Sequence, residues 1–373
     1  MKKMAGGMPS ESAAGQRVTR IILHRLRAPL RVPYKLSFGP VEAFDTILVE
    51  IAGEGGRVGF GEATFLPGYS EGTMEGSWGR ATALAEQAAG GTTGEIMALA
   101  ASLLQEGPFT ATAFTTACEM LSGHPMLTRQ ETVAVPLLAI VNADDPAGYE
   151  AEIETHLAAG YGTLKVKVGF DMEPDLARVE RIRQFVAGRA AIRVDGNQGY
   201  GRDEALRFAA ALEPEGIELL EQPADAADWE TAADLAKVAR VPMMLDESIF
   251  GIADVERAAE LGAARYIKFK LMKAGGMDRL ATALARIRAL EMIPVLGNGV
   301  AGGVGCWMEA CVAASMIENA GEMNGFLKPA ASIFTRPVRV ENGAMILEAG
   351  GMPEINPATL RDLTVGKKEF TGR

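Results

Sequence analysis

Gly162-Thr163-Leu164-Lys165-Val166-Lys167-Val168-Gly169 places two lysines two residues apart inside a short apolar run. Successive side chains of a strand point to opposite faces, so Lys165 and Lys167 share one face while Leu164 and Val166 share the other. Alone, Lys-x-Lys reads as a solvated edge strand. The runs that follow change that reading. Ala191-Ile192-Arg193-Val194-Asp195, Ile217-Glu218-Leu219-Leu220-Glu221, Met243-Met244-Leu245-Asp246 and Tyr266-Ile267-Lys268-Phe269-Lys270 each end in a charged residue. Between them lie segments of helical periodicity, such as Leu176-Val179-Ile182 and Ala205-Phe208-Ala209-Leu212. Strand and helix alternate, which predicts a parallel sheet covered by helices.

The charged ends recur roughly every 23 to 30 residues, about one βαβ unit. The series extends upstream to Val133–Ile140 and downstream to Ile293–Leu296 and Glu322–Phe326, so eight units fit a closed (β/α)8 barrel. In that architecture the carboxyl ends of the strands form the active-site face, and charge placed there reads as chemistry.

Asp195, Glu221 and Asp246 come from consecutive strands and would repel one another unless a cation neutralised them. Three hard oxygen donors without cysteine or histidine favour Mg2+ over Zn2+ or copper. The competing explanation makes each acid a helix cap, and Asp246-Glu247-Ser248 has that look. Two ammonium groups side by side lower each other's pKa, so one of Lys165 and Lys167 is expected to act as a neutral base. Lys270, nearly opposite Lys167 across an eight-strand barrel, would serve the other face of the substrate.

With these residues in place the chain resembles the enolase superfamily, and within it the muconate-lactonizing subgroup of cycloisomerases, o-succinylbenzoate synthases, N-succinylamino acid racemases and dipeptide epimerases. Lys165 and Lys167 match the subgroup's Lys-x-Lys, Asp195, Glu221 and Asp246 its three acids, and Lys270 its distal lysine. Asp195-Gly196-Asn197, Glu221-Gln222-Pro223, Asp246-Glu247-Ser248 and Lys270-Leu271-Met272-Lys273-Ala274-Gly275-Gly276 match its local wording. The resemblance implies Mg2+ held by the three acids and catalysis by Lys165, Lys167 and Lys270. A proton α to a substrate carboxylate would be removed through an enediolate, a use of lysine and magnesium known for this superfamily.

The resemblance leaves the outcome open. Racemisation or epimerisation of a dipeptide or N-acylamino acid is the first expectation, with muconate-type cycloisomerisation or a dehydration of the o-succinylbenzoate synthase kind as the alternative. A barrel that only binds is the remote one. Dipeptide epimerases carry Asp-x-Asp on strand eight to hold the substrate ammonium, whereas this chain has Glu322-Met323-Asn324. Lys268 stands where the family commonly has asparagine, and could lower the pKa of Lys270 or pair with an acid. Asn197, Lys268, Asn298, Glu322 and Asn324 are expected to line the substrate pocket. Gly297-Asn298-Gly299, with Gly302, Gly303 and Gly305, could bring backbone amides to an anionic group.

The expected division is a disordered tail at 1–17, an α+β capping domain at 18–130, a catalytic barrel at 131–349 and a segment at 350–373 returning to the cap. Two loops, Pro33–Gly39 and Thr64–Glu71, carry Phe38, Phe65 and Tyr69 and are expected to fold over the barrel mouth, with Phe38 and Tyr69 touching substrate. His24, His124 and His156 fall outside every strand end, which disfavours histidine chemistry. At 373 residues and 48% hydrophobic content, the chain can bury a large core. A net charge of -11 argues against a nucleic-acid surface. No apolar run reaches membrane-span length, and three cysteines without ligand spacing suit a reducing compartment. The expectation is a cytoplasmic homo-oligomer acting on a small-molecule carboxylate, with no nucleic acid or membrane partner.

Overall fold

A computed structural model describes residues 15–36, 39–66 and 72–372. Most of the predicted tail, and Phe38 and Tyr69, lie outside these residues. Residues 16 and 17 depart from the expected disorder: the Gln16 amide donates to Thr93 Oγ1 at 3.1 Å, and Arg17 bridges to Thr92.

The first layer is a four-stranded antiparallel sheet in the order Thr364–Thr371, Val18–Leu36, Gly39–Gly53, Val58–Phe65. Alternation splits its strands between two cores. Ile21, Leu23, Ile47, Val49 and Ile51 face the helices Met74–Ala88, Thr93–Ser102 and Pro108–Leu121, whereas Leu26 and Leu48 face the barrel. Gly59 and Gly61 let the sheet press onto the Pro108–Leu121 helix. A Cβ on Gly61 would stand 1.8 Å from the carbonyl of Ala113, and one on Gly59 2.0 Å from that of Ala117. Phe65 belongs to this core, 4% exposed with its ring 6.0 Å from that of Phe109, and not to a lid over the barrel mouth.

The second layer is a barrel of parallel strands, each paired with the next in sequence: Ala139–Val141, Thr163–Lys167, Ala191–Asp195, Ile217–Glu221, Met243–Leu245, Tyr266–Phe269 and Ile293–Leu296. Strand parity sorts the side chains. Leu164, Val166, Ile192, Val194 and Ile267 point outward into cores shared with the surrounding helices. Leu219, Met244 and Val295 pack together as an apolar plug inside.

Two expectations needed correction. The run Val133–Ile140 is not one strand: Val133–Pro136 pairs antiparallel with Ala344–Leu347, and Ala139–Val141 begins the barrel. The eighth unit is not a regular strand either. Gly321–Glu322 wedges between its neighbours through three backbone hydrogen bonds, Leu138 N–H to Gly321 O (2.9 Å), Gly321 N–H to Pro136 O (2.9 Å) and Glu322 N–H to Leu296 O (3.0 Å). Close approach explains the irregularity. Gly297, at φ 131°, lies so near this stave that a Cβ would sit 2.4 Å from Glu322 N. The fully buried Arg193 ties its base by donating to Ala320 O at 2.8 Å while forking onto Glu218 at 2.9 and 3.0 Å.

Two carboxylates of the cap close helix ends of the barrel. Glu62 accepts the N–H groups of Gly302, Val304 (3.0 Å) and Gly305 (3.1 Å) at the start of the Gly303–Met316 helix. Glu119 accepts from Met277 at 2.9 and 3.0 Å at the start of Met277–Ala289. The first helix follows the loop of Asn298 and the second follows the strand of Lys268, so the cap is docked beside the strand ends that carry the charged rim.

Candidate active site

Asp195, Glu221 and Asp246 stand side by side at the ends of the third, fourth and fifth barrel strands, all buried. The cap explanation fails for all three. The helices that follow begin at Arg202, Trp229 and Ile252, after Gly201, Asp228 and Gly251.

Four lysines meet these acids. Lys165 Nζ lies 2.6 Å from Asp195 Oδ2 and 2.9 Å from Glu221 Oε2. Lys167 Nζ, on the same face of the strand, also reaches Asp195 Oδ2 at 2.6 Å and touches Asn197 Oδ1. Lys268 Nζ is 3.1 Å from Glu221 Oε1 and 3.5 Å from Asp246 Oδ2. Lys270 Nζ holds Asp246 at 2.7 Å from Oδ1 and 2.8 Å from Oδ2. Lys167 therefore flanks the row of acids at Asp195 and Lys270 flanks it at Asp246. Lys165 and Lys268 lie between them and below, 1% and 3% exposed, whereas the Lys167 side chain is 27% exposed.

Burial favours the neutral form of each group, and the opposing charges decide which acids resist it. For Asp195, desolvation is outweighed by Lys165, Lys167 and Lys268, and the carboxyl falls below its usual range. For Asp246, Lys270 and Lys268 overcome burial in the same direction. Glu221 goes the other way, raised by burial and by Asp195 beyond what Lys165 and Lys268 return. Of the two lysines from which one neutral base is expected, Lys165 moves the other way. Burial pulls its pKa down, but Asp195, Glu221 and Glu322 carry it above the ordinary lysine value. Lys268 is raised in the same way by Glu221, Glu322 and Asp246.

Glu322, expected to face the substrate, is instead taken up internally. It is 4% exposed, and its Oε2 accepts from Lys165 Nζ at 2.9 Å and from Lys268 Nζ. Asn298 is likewise occupied, accepting from Val300 N at 2.9 Å and donating to Val300 O. The amides of Gly302 and Gly305 hold the carboxylate of Glu62, so that part of the glycine-rich loop is already filled by an anion of the chain itself. Asn197 faces the acids, its Nδ2 donating to Glu247 Oε1 at 2.9 Å. Asn324 is buried with Oδ1 unpartnered.

Three residues near the acids escaped the sequence reading. Gln222 clips the ends of two acid-bearing strands together, its Oε1 accepting from Asp246 N at 3.1 Å. Glu247 is pushed up to about 7 by burial and then by Asp246 and Asp195. Lys273 is drawn down to about 8 by burial and then by Lys270. Each stands beside a strand-end residue, in Glu221-Gln222-Pro223, Asp246-Glu247-Ser248 and Lys270-Leu271-Met272-Lys273, and that adjacency was the available signal.

The donor set suits a hard divalent cation. Oxygens of Glu221 (Oε2), Asp246 (Oδ1) and Glu247 (Oε2) are buried and accept no hydrogen bond, although lysine ammonium groups crowd the first two. Among the described residues, Glu119, His124 and Asp278 bring ligand atoms within 4.8 Å of one another. Their contacts explain that grouping without an ion. His124 Nδ1 accepts from Met126 N, which leaves Nε2 to donate to Asp278 Oδ1 at 3.0 Å, while Glu119 caps its helix. His24 pairs with Glu50, and His156 contacts Ile140 O at 3.2 Å. None of the three histidines meets the acid row. No helix of the described residues is long and apolar enough to cross a membrane.

Residues 148–352 match the family model described as enolase C-terminal domain-like. The chain is 34% identical over 277 residues to an L-Lys-D/L-Arg epimerase of Methylococcus capsulatus, covering 68% of this chain and 75% of that one. It is 26% identical over 370 residues to an N-succinyl-L-Arg/Lys racemase of Bacillus cereus, covering 94% and 98%. Its fold matches a dipeptide epimerase of Cytophaga hutchinsonii, solved with Mg and the dipeptide D-Ala-L-Val, with a TM-score of 0.86 at 21% identity over 95% of this chain and all of that one.

Proposed function

The chain belongs to the enolase superfamily as an isomerase, and on that premise we propose that it removes the proton α to a substrate carboxylate and returns one to the same carbon. The substrate is derived from an amino acid, and the outcome is racemisation or epimerisation. The observation that carries the reading is the flanking of the acid row by Lys167 at Asp195 and Lys270 at Asp246.

Asp195, Glu221 and Asp246 would hold Mg2+. Once bound, that ion supplies the positive charge that steadies a carboxylate as charge develops on it. The remaining work falls to side chains. Lys165 and Lys268 stay charged and fix the acids from below. Lys167 and Lys270 approach the substrate carbon from two sides: one, neutral, takes the α-proton onto Nζ, and the other, as ammonium, delivers a proton to the opposite face. Asn197 holds Lys167 in place through Oδ1. Gln222 keeps the fourth and fifth strand ends in register.

The test is solvent deuterium exchange with Mg2+ over dipeptides, N-acylamino acids and lactones. Lys167→Ala is expected to abolish exchange of one enantiomer and Lys270→Ala that of the other, with the folded protein retained. Loss of both enantiomers in each variant would remove the two-sided assignment. Conversion of a lactone without α-exchange of any amino-acid derivative would favour cycloisomerisation.

A further inference from the structure

The chemistry of the substrate's nitrogen follows from how the buried charges are paired. Asp195, Glu221, Asp246 and Glu322 are four carboxylates within one buried network. Two ammonium groups, Lys165 and Lys268, lie inside it with side-chain exposures of 1% and 3%. Both converge on one oxygen, Glu322 Oε2, and each also contacts Glu221. A divalent cation among the first three acids would supply the two remaining positive charges of this inner set, before Lys167 and Lys270 are counted at its rim.

We propose that Lys268 and Glu322 are a matched internal pair which leaves the strand-eight side of the pocket without a free negative charge, so that the enzyme takes N-acylamino acids and discriminates against dipeptides bearing a free ammonium. This rests on the isomerase reading and narrows it. A substrate carboxylate finds its counter-charge in whichever of Lys167 and Lys270 is protonated. An additional substrate ammonium has no partner among these acids. Of the three oxygens there that accept no hydrogen bond, Glu221 Oε2 and Asp246 Oδ1 are crowded by ammonium groups, which leaves Glu247 Oε2, on the fifth-strand side with Oε1 already held by Asn197.

The first arm of the test reads the pair without turnover. Lys268→Gln, Glu322→Gln and the double variant are melted in chelator. Each single change leaves the buried set one charge out of balance, although Lys165 still holds Glu322 and Glu221 still holds Lys268, and the double is expected to recover most of the lost melting temperature. Additive losses would overturn the pairing. The second arm compares kcat/KM for N-acetyl- and N-succinylamino acids with dipeptides of the same C-terminal residue. The wild type is expected to prefer the acyl series by about thirtyfold or more, the lower end of what a buried charge without a partner costs. Equal or better use of dipeptides would overturn the substrate inference while leaving the isomerase intact, and its loss in Glu247→Gln would place the ammonium at that carboxylate. Absence of exchange in both series would instead overturn the isomerase reading, and the substrate inference with it, while the melting cycle still decides the pairing.

Discussion

Replacing Glu62 with glutamine tests whether the cap holds the site's scaffold through one carboxylate. Glu62 Oε2 accepts from Val304 at 3.0 Å and Gly305 at 3.1 Å, Oε1 accepts from Gly302, and Thr64 Oγ1 donates to Oε1 at 2.9 Å. The amide of glutamine can keep the contacts of one oxygen: turned to keep those of Oε1, its NH2 group confronts the N–H donors of Val304 and Gly305, and turned the other way it confronts that of Gly302. Two stranded donors at about 1–3 kcal/mol each set an upper bound near 6 kcal/mol. Relief of desolvation reduces this. Burial is the largest influence on Glu62 and raises its pKa in spite of three helix amides, so its ionised form is held at a cost that the amide does not incur. The expected net loss is about 2–3 kcal/mol, read from the denaturant midpoint at pH 8, where the wild-type carboxylate is most fully ionised. Amide hydrogen exchange should localise the loss, with protection falling at Val304 and Gly305 and spreading to the Gly297–Ala301 loop. A midpoint within about 0.5 kcal/mol of wild type, with those amides still protected, would refute the reasoning.

Other outcomes follow from the same structure. Mg2+ should raise the melting temperature and chelator lower it, and Asp195→Asn with Asp246→Asn should abolish the difference; a metal response that survives would place the ion elsewhere. Glu309, fully buried, is pushed up to about 7 by desolvation from an ordinary value of 4.5. The folded state therefore keeps a proton that the unfolded chain has released, so stability falls as pH rises from about 4.5 and levels off above 7. About 3 kcal/mol of that fall should vanish in Glu309→Gln, as measured by urea unfolding at pH 5 and 8. Gly61→Ala should cost at least about 3 kcal/mol, because its Cβ would meet the Ala113 carbonyl at 1.8 Å; near-neutral unfolding would mean the sheet and helix can separate freely.

The row of acids is legible because strand parity is local. Once Lys165 and Lys167 were read as one face, Asp195, Glu221, Asp246 and Lys270 fell on the same rim by counting in twos. What escaped depends on contacts far apart in sequence. Glu62 meets an amide 240 residues away, and Lys165 meets Glu322 across 157. No periodicity announces such a pair, so from sequence alone Glu322 and Lys268 both read as pocket-lining residues. Val133–Ile140 read as one strand because its apolar run is continuous; only the Ala344–Leu347 partner shows where it divides. The eighth stave was expected as a strand, and the close packing of Gly297 on Glu322, which makes it irregular, leaves no trace in hydrophobic pattern.

The edge strand Thr364–Thr371 pairs with Val18–Leu36 over a register running from Arg20 opposite Thr371 to Leu26 opposite Thr364. During synthesis the two arrive at opposite times. Val18–Leu36 can pair with Gly39–Gly53 as soon as both leave the ribosome, but its other edge must wait for nearly the whole barrel to be translated, roughly 20 to 70 s at ordinary elongation rates. For that interval the nascent cap presents an open row of backbone donors and acceptors, the form of surface that recruits other strands. Messages truncated before codon 364 would make this state permanent. Their products should be recognised by chaperones and aggregate even though every barrel strand is present.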